Sequence, residues 1–354
     1  SYHHCLPWAL NFKKEKIMSL NTLEEIAEYI VSNGKGILAA DESNPTCGKR
    51  FDSIGVESNE DNRRDYREML FRSSGMKDNI GGVILFDETI RQNAKDGTSL
   101  VDIISNQGAL PGIKVDKGLQ PFGDLDETVT IGLDGLDERL KEYVSMGAKF
   151  TKWRAVIKIG DGMPTQECID ANMKALADYA KIVQNNGMVP MVEPEVLMDG
   201  SHSIEDCYDA SDRSLKSLFK HLVDNEVNIK GTILKPNMVT SGSSCNQQAN
   251  IDEVARKTLD CLIANVPSEL PGITFLSGGQ SDILATAHLD AMNKIGGFEW
   301  KLSFSYGRTL QAASLKAWGG KPEIMFISQD ALSHRGKMNK LASLGDWDQG
   351  LEDE

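Results

Sequence analysis

Several charged residues stand in stretches that otherwise read as buried strands. In GTILKPNMV (231–239), Lys235 follows Thr232, Ile233 and Leu234, and Pro236-Asn237 ends the extended run. In FTKWRAVI (150–157), Lys152 and Arg154 are two residues apart, so they share a strand face. MVPMVEPEV (188–196) repeats the arrangement with Glu193 and Glu195, and GIKVDKG (112–118) with Lys114 and Asp116. GILAADE (36–42) carries Asp41 near its end, with Ser43 two positions on. A strand covered on both faces should be continuously apolar, so each charge needs a partner or a task. Taken singly, each could be a rim ion pair, or in the case of Lys235 a snorkelling side chain. Their recurrence at strand ends favours one shared site. A lysine in a dry site beside another cation gives up its proton more readily and becomes an amine nucleophile suited to carbonyl substrates. Lys152 and Arg154 are candidates for that neighbouring cation.

Two glycine-containing turns follow strand-like runs and lead into helical segments. SGGQS (277–281) offers Ser277, Gly278 and Gly279, and SYGRT (305–309) offers Ser305, Gly307 and Arg308. Backbone amides at a helix start bind phosphate, and a guanidinium fork adds donors. A second group, Ser43, Thr46, Lys49 and Arg50 in DESNPTCGKR, reads equally well as a phosphate site or as a capped helix start. Metal chemistry finds little support. His3, His4, His202, His221, His288 and His334 form no ligand-spaced motif; His3 and His4 lie in the doubtful N-terminal segment, and the other four read as solvated or capping side chains. No metal and no cofactor are expected.

Eight apolar runs recur: the five already named, GGVILFDE (81–88), TFLSGG (274–279) and KLSFSYG (301–307). Helical segments lie between them, such as DERLKEYVSMGAK with Leu140, Val144 and Ala148 on one face. Alternation of this kind implies parallel βαβ units, and eight of them favour a single-domain (β/α)8 TIM barrel over an open doubly wound sheet. In a barrel, the C-terminal strand ends carry the chemistry, and the loops after strands seven and eight hold phosphate. The chain has 354 residues and a net charge of −14, which argues against nucleic acid and anionic membrane as partners. An anionic substrate would therefore need locally concentrated cations. The six cysteines form no C-x-x-C pair and read as reduced thiols, and no apolar run is long enough to span a bilayer. Residues 1–18 read as a disordered extension, residues 19–345 as the barrel, and the acidic residues 346–354 as a poorly ordered tail.

From about residue 19 to 345 the sequence resembles class I fructose-bisphosphate aldolases. GKGILAADES, NRRDYR, GGVILF, GIKVDKG, FTKWRAVIKIG, VPMVEPEVL, LKPNMV, FLSGGQS and FSYGRTLQAASLKAWGG occur in that family's order. The loop DESNPTCGKR resembles plant, algal or cyanobacterial members more than animal ones. The resemblance implies that Lys235 forms the Schiff base and that Glu193 is the acid/base for carbinolamine formation and dehydration. It implies that Glu195, Lys152 and Arg154 polarise the amine and the sugar hydroxyls, and that Asp41 accepts the C4 hydroxyl proton. Ser277, Gly278, Gly279, Ser305, Gly307 and Arg308 would bind the C1 phosphate, and Ser43, Thr46, Arg50 and Lys114 the C6 phosphate. It further implies a sugar phosphate substrate, a homotetramer, and a cytoplasmic enzyme, with the plastid as the alternative. Two departures stand out. Lys230 occupies a position that is usually Glu, which bears on stability. The family usually ends in a tyrosine that helps protonate the enamine, whereas the last tyrosine here is Tyr306. Another group then donates that proton, or turnover is slow, or the sequence is truncated. A transaldolase-like enzyme is the competing enzymatic reading, disfavoured by two phosphate sites. A weakened paralogue acting as a binding scaffold is the reading from another class.

Overall fold

The computed structural model describes residues 15–17 and 19–354. Three strands, β1 (Gly36–Ala40), β2 (Ile80–Leu85) and β3 (Leu110–Lys114), are followed by an antiparallel hairpin, β4 (Leu119–Phe122) and β5 (Glu127–Thr130). Then come β6 (Phe150–Ile157), β7 (Val189–Val196), β8 (Ile233–Leu234), β9 (Gly272–Phe275) and β10 (Lys301–Tyr306). All strands but the hairpin form a closed barrel in the order β1-β10-β9-β8-β7-β6-β3-β2. β1 pairs in parallel with both β2 and β10, which closes the ring and excludes the open sheet. Each of the eight apolar runs overlaps one barrel strand. The hairpin was not anticipated, because its residues alternate over too few positions to stand out.

The barrel interior shows why the charged residues converge. Ile37, Ala39, Ile84, Leu110, Phe150, Val189, Met191 and Ile233 form one buried cluster. Helix Leu23–Ile30 plugs its N-terminal end with Ile26, Ala27 and Ile30. Residues of the opposite parity, including Leu38, Ala40, Val83, Leu85, Val192 and Leu234, pack outward against the helices. Phe150 fills the interior where Gly112 leaves room, since a Cβ on Gly112 would lie 2.4 Å from the Phe150 ring. Side chains alternate along a strand, so two steps beyond an interior apolar residue lies another interior residue. Ala39 leads to Asp41, Gly112 to Lys114, Phe150 to Lys152 and Arg154, Met191 to Glu193 and Glu195, and Ile233 to Lys235. One stripe per strand is therefore apolar at the plugged end and charged at the open end.

The termini depart from expectation. Residues 1–14 and Met18, most of the proposed extension, lie outside the described residues. Glu15–Ile17 are helical, and Ile17 is buried against the interior cluster, so this part of the segment does take part in the fold. The tail does not behave as a poorly ordered one. Trp347 is buried, its backbone N–H donates to Asp290 (3.0 Å), and its indole N–H donates to Glu352 (3.0 Å). Glu352 also pairs with Arg335 at 2.8 Å, and both side chains are largely buried. The tail thereby supplies the buried Arg335 with a counter-charge.

Candidate active site

The open end of the barrel holds a cavity of about 560 Å³. Asp41, Ser43, Thr46, Arg50, Lys114, Lys152, Arg154, Glu193, Glu195, Lys235, Ser277, Gly278, Ser305, Gly307 and Arg308 all line it. Among the residues anticipated from sequence, Gly279 and Lys49 are absent from the lining. A Cβ on Gly279 would face the sulfur of Met198. The cavity also includes Glu42, Asp116, Gly118 and Leu119. Asp116 had been noticed as the face-mate of Lys114. Glu42 was missed because its parity points away from that of Asp41, and Leu119 because it belongs to the unforeseen hairpin.

Lys235 lies at the centre and is buried. Its ammonium nitrogen is 3.7 Å from Glu193 Oε1, and Lys152 Nζ approaches the same oxygen at 3.5 Å. That oxygen has no hydrogen-bond partner among the described residues, so it is not committed to a neighbour other than the two ammonium groups beside it. Burial lowers the Lys235 pKa, and the Lys152 charge lowers it further, against Glu193, Asp41 and Glu195, which favour the charged form. The net effect is downward, toward a neutral amine. Lys152 is shifted the other way. Desolvation opposes its charge, but Asp41, Glu193 and Asp116 win and raise its pKa. Lys152 donates to Asp41 at 2.9 Å. Burial would raise Asp41, yet Lys152, Lys235 and Lys114 together bring it down to about 2. Two lysines that share one Glu193 oxygen thus divide the work, one kept cationic and one pushed toward the free amine.

Around this centre three further cations each have a carboxylate. Arg154 donates to Glu195 at 2.6 Å, Lys114 to Asp116 at 2.6 Å, and Arg50 to Glu42 at 2.9 Å. Burial raises the Glu195 pKa and Glu193 adds to it, against the pull of Arg154. The backbone also braces the strand ends. Arg154 N–H donates to Asp116 (3.0 Å), Thr130 Oγ1 of the hairpin donates to the Arg154 carbonyl (2.7 Å), and Arg67 donates to the Glu42 carbonyl (2.8 Å).

Ser281 caps helix Asp282–Ile295 and Gly307 stands at the N-cap of helix Arg308–Trp318; of the two turns, Ser277, Gly278, Ser305, Gly307 and Arg308 line the cavity. Arg308 donates to the carbonyls of Gly278 (2.8 Å) and Gln280 (2.6 Å), tying one turn to the other. In the second group the capped helix start is present, and Ser43, Thr46 and Arg50 also line the cavity. Ser43 caps helix Asn44–Asp52, its oxygen accepting from Thr46 N–H (3.5 Å). Lys49 does not line it. Two histidines depart from the expected solvated or capping role: His202 and His288 are buried. His3 and His4 lie outside the described residues. Among the described residues no three His, Cys, Asp or Glu side chains cluster to hold a metal ion. Tyr306 is buried in the core, donating to the Ala285 carbonyl at 3.0 Å, away from the mouth.

Fold and site together define a (β/α)8-barrel enzyme that turns a lysine amine on the carbonyl of a phosphorylated substrate. Comparison with known proteins gives the family. A model of "Fructose-bisphosphate aldolase class-I" matches residues 22–354. A probable class 1 fructose-bisphosphate aldolase of Xanthomonas axonopodis pv. citri is 53% identical, covering 93% of this chain and 99% of the relative. A cytosolic fructose-bisphosphate aldolase of Arabidopsis thaliana is 48% identical over 97% of this chain and 88% of its own. A solved structure of the Plasmodium falciparum fructose-bisphosphate aldolase, in complex with TRAP and a small-molecule inhibitor, superposes with a TM-score of 0.91 at 44% identity. It covers 96% of this chain and 97% of that one. This chain belongs to the class I fructose-bisphosphate aldolase family. It is a carbon–carbon lyase of glycolysis that reversibly cleaves fructose 1,6-bisphosphate to dihydroxyacetone phosphate and glyceraldehyde 3-phosphate through a lysine Schiff base.

Proposed function

We propose that Lys235 is the Schiff-base lysine and that the groups around it divide the remaining proton transfers. The observation that carries this is the position of one Glu193 oxygen between the Lys235 and Lys152 nitrogens, with Lys235 alone shifted toward the free amine. The Lys235 amine attacks C2 of the ketose. Glu193 protonates the carbinolamine hydroxyl, water leaves, and a cationic iminium remains. Asp41 takes the C4 hydroxyl proton, the C3–C4 bond breaks, and its electron pair moves to the iminium, giving an enamine and free aldehyde. Protonation at C3 and hydrolysis then release dihydroxyacetone phosphate. Lys152 stays cationic and holds Asp41 and Glu193 in place, while Arg154 and Glu195 orient the sugar hydroxyls. Ser277, Gly278, Gly279, Ser305, Gly307 and Arg308 take the C1 phosphate, with Gly279 contributing backbone only. Ser43, Thr46, Arg50 and Lys114 take the C6 phosphate.

The test is covalent trapping. Incubation with dihydroxyacetone phosphate and borohydride should leave one reduced adduct, mapping to Lys235. An adduct on Lys152 instead, or none from an active preparation, would overturn the assignment.

The finer points of assembly and compartment belong to the same reading. A homotetramer is supported by Val223 and Ile263, large apolar side chains more than half exposed on the contacting helices Ile204–Asp224 and Ile251–Asn265. Sedimentation at micromolar concentration checks it, and a monomer would refute it. No helix among the described residues is long and apolar enough to cross a membrane. A cytoplasmic location, with the plastid as alternative, is supported by the cytosolic Arabidopsis relative. Cell fractionation with antibody detection separates the two.

A further inference from the structure

The turn assigned to the C1 phosphate is held from behind by a pair of buried side chains that the proposed chemistry does not use. Gln280 is buried, and its Nε2 lies 2.9 Å from the Ser277 carbonyl. A carbonyl only accepts, so that nitrogen is the amide NH2 and the other terminal atom is the oxygen. The oxygen meets Nδ1 of His288 at 2.5 Å, one turn and more into helix Asp282–Ile295. His288 must then carry its proton on Nδ1 and donate. Burial favours this state, since it lowers the imidazole pKa to about 4 and keeps the ring neutral.

The consequence falls on the turn. The Ser277 carbonyl is taken by Gln280, and the carbonyls of Gly278 and Gln280 are taken by Arg308. Gly278 sits at φ +58, a left-handed conformation that glycine adopts without strain. With its carbonyls drawn away, the turn is left presenting N–H groups to an anion. The Gln280 backbone N–H also reaches the Ser277 carbonyl (3.3 Å), but an inverted Gln280 amide would set its oxygen against that carbonyl and weaken the hold on the turn.

We propose that His288 is a positioning residue for sugar phosphate binding: it fixes the orientation of the Gln280 amide, which holds the Ser277–Gly279 turn with its amides toward the C1 phosphate. The proposal rests on the reading of this turn and Arg308 as the C1-phosphate site. Because the phosphate is bound alike before and during bond cleavage, a disordered turn weakens binding and leaves the chemical step in place.

The experiment is steady-state cleavage of fructose 1,6-bisphosphate by wild type, His288→Leu, His288→Asn, Gln280→Leu and Arg308→Ala, with inorganic phosphate as a competitive probe. His288→Leu should raise KM and the phosphate inhibition constant about tenfold, with kcat within about twofold of wild type. His288→Asn places an amide nitrogen close to where Nδ1 stood and should restore most of the loss. Gln280→Leu should match His288→Leu, and the double variant should be no worse than either. A purely structural role would lower thermal stability equally in the leucine and asparagine variants and would not split KM from kcat. Wild-type KM in a folded His288→Leu enzyme, or no rescue by asparagine, overturns the proposal while Arg308→Ala still raises KM. If Arg308→Ala also leaves KM and phosphate inhibition unchanged, it is the phosphate site itself that fails. Should His288→Leu not fold, Gln280→Leu alone decides, by the same KM criterion.

Discussion

Replacing Asp41 with asparagine preserves side-chain volume and removes only charge and basicity, so its effects on catalysis and on stability can be read apart. Loss of a positioned general base slows a reaction by about 10²- to 10⁴-fold, or about 3–5 kcal/mol of barrier. The kcat for cleavage of fructose 1,6-bisphosphate should fall by that amount. Schiff-base formation does not use the C4 hydroxyl proton, so borohydride trapping at Lys235 should persist. The stability term follows from the lowered pKa. In the folded chain Asp41 lies at about 2 against an ordinary value of 3.8, and that difference corresponds to about 2 kcal/mol. A carboxylate with a depressed folded value stabilises above its unfolded pKa, and the contribution is lost as pH falls from about 4 to about 2. Asp41→Asn should thus be less stable by up to about 2 kcal/mol at pH 7, with the gap closing below pH 4, as read by urea unfolding across that range. There is a further demand. A carboxylate at about 2 is poorly matched to proton abstraction near neutrality. Lys152, which holds it at 2.9 Å, must therefore loosen its grip once the sugar hydroxyls enter. Cleavage by Asp41→Asn within about threefold of wild type would refute the assigned base. So would a folded variant that loses trapping together with cleavage.

Other substitutions test separate parts of the site and scaffold. Arg50→Ala should raise KM for fructose 1,6-bisphosphate at least tenfold and change KM for fructose 1-phosphate little, because only the former carries the C6 phosphate; steady-state kinetics with both ketoses decides. Glu352→Ala strands the buried Arg335 guanidinium and should cost about 3–5 kcal/mol in urea unfolding, a result that a loosely held tail would not give. Phe150→Ala opens a cavity in the barrel interior, two residues below Lys152. It should cost about 3–5 kcal/mol, with kcat reduced alongside the unfolding midpoint.

Where the sequence was legible, it was so because one period governs both packing and chemistry. The step of two that sets Phe150 in the core also sets Lys152 and Arg154 at its open end, so charged residues in apolar runs identified strands, barrel and site together. Residues off that parity were harder to see. Glu42 enters the mouth from the loop beyond β1, beside the anticipated Asp41, whereas the anticipated Gly279 lies against Met198 outside the lining. Contacts distant in sequence left no local trace. Nothing in GDWDQGLEDE announces that Glu352 meets Arg335, and nothing in the spacing of His288 announces that it is buried against Gln280. The hairpin escaped because its alternation covers only four residues on each strand.

The charge of the mouth is also different from what its cations alone suggest. Arg50, Lys114, Lys152, Arg154, Lys235 and Arg308 line the cavity, but so do Asp41, Glu42, Asp116, Glu193 and Glu195. With Lys235 as a free amine the two sets balance, so the site is not simply a positive well in a chain of net charge −14. A bisphosphate carries about −3 to −4 near neutrality, and it must displace carboxylates from their cations instead of filling unmet charge. Arg308 differs from the rest, since its hydrogen bonds go to the carbonyls of Gly278 and Gln280. It can meet a phosphate without giving up a carboxylate. Arg50 cannot, because Glu42 holds it at 2.9 Å. The C1 end of the substrate should accordingly seat first and with less rearrangement, and the C6 end should follow as Arg50 exchanges Glu42 for phosphate. This order suits the chemistry, because the C1 phosphate places the ketone beside Lys235 before the half that must depart as aldehyde is fixed.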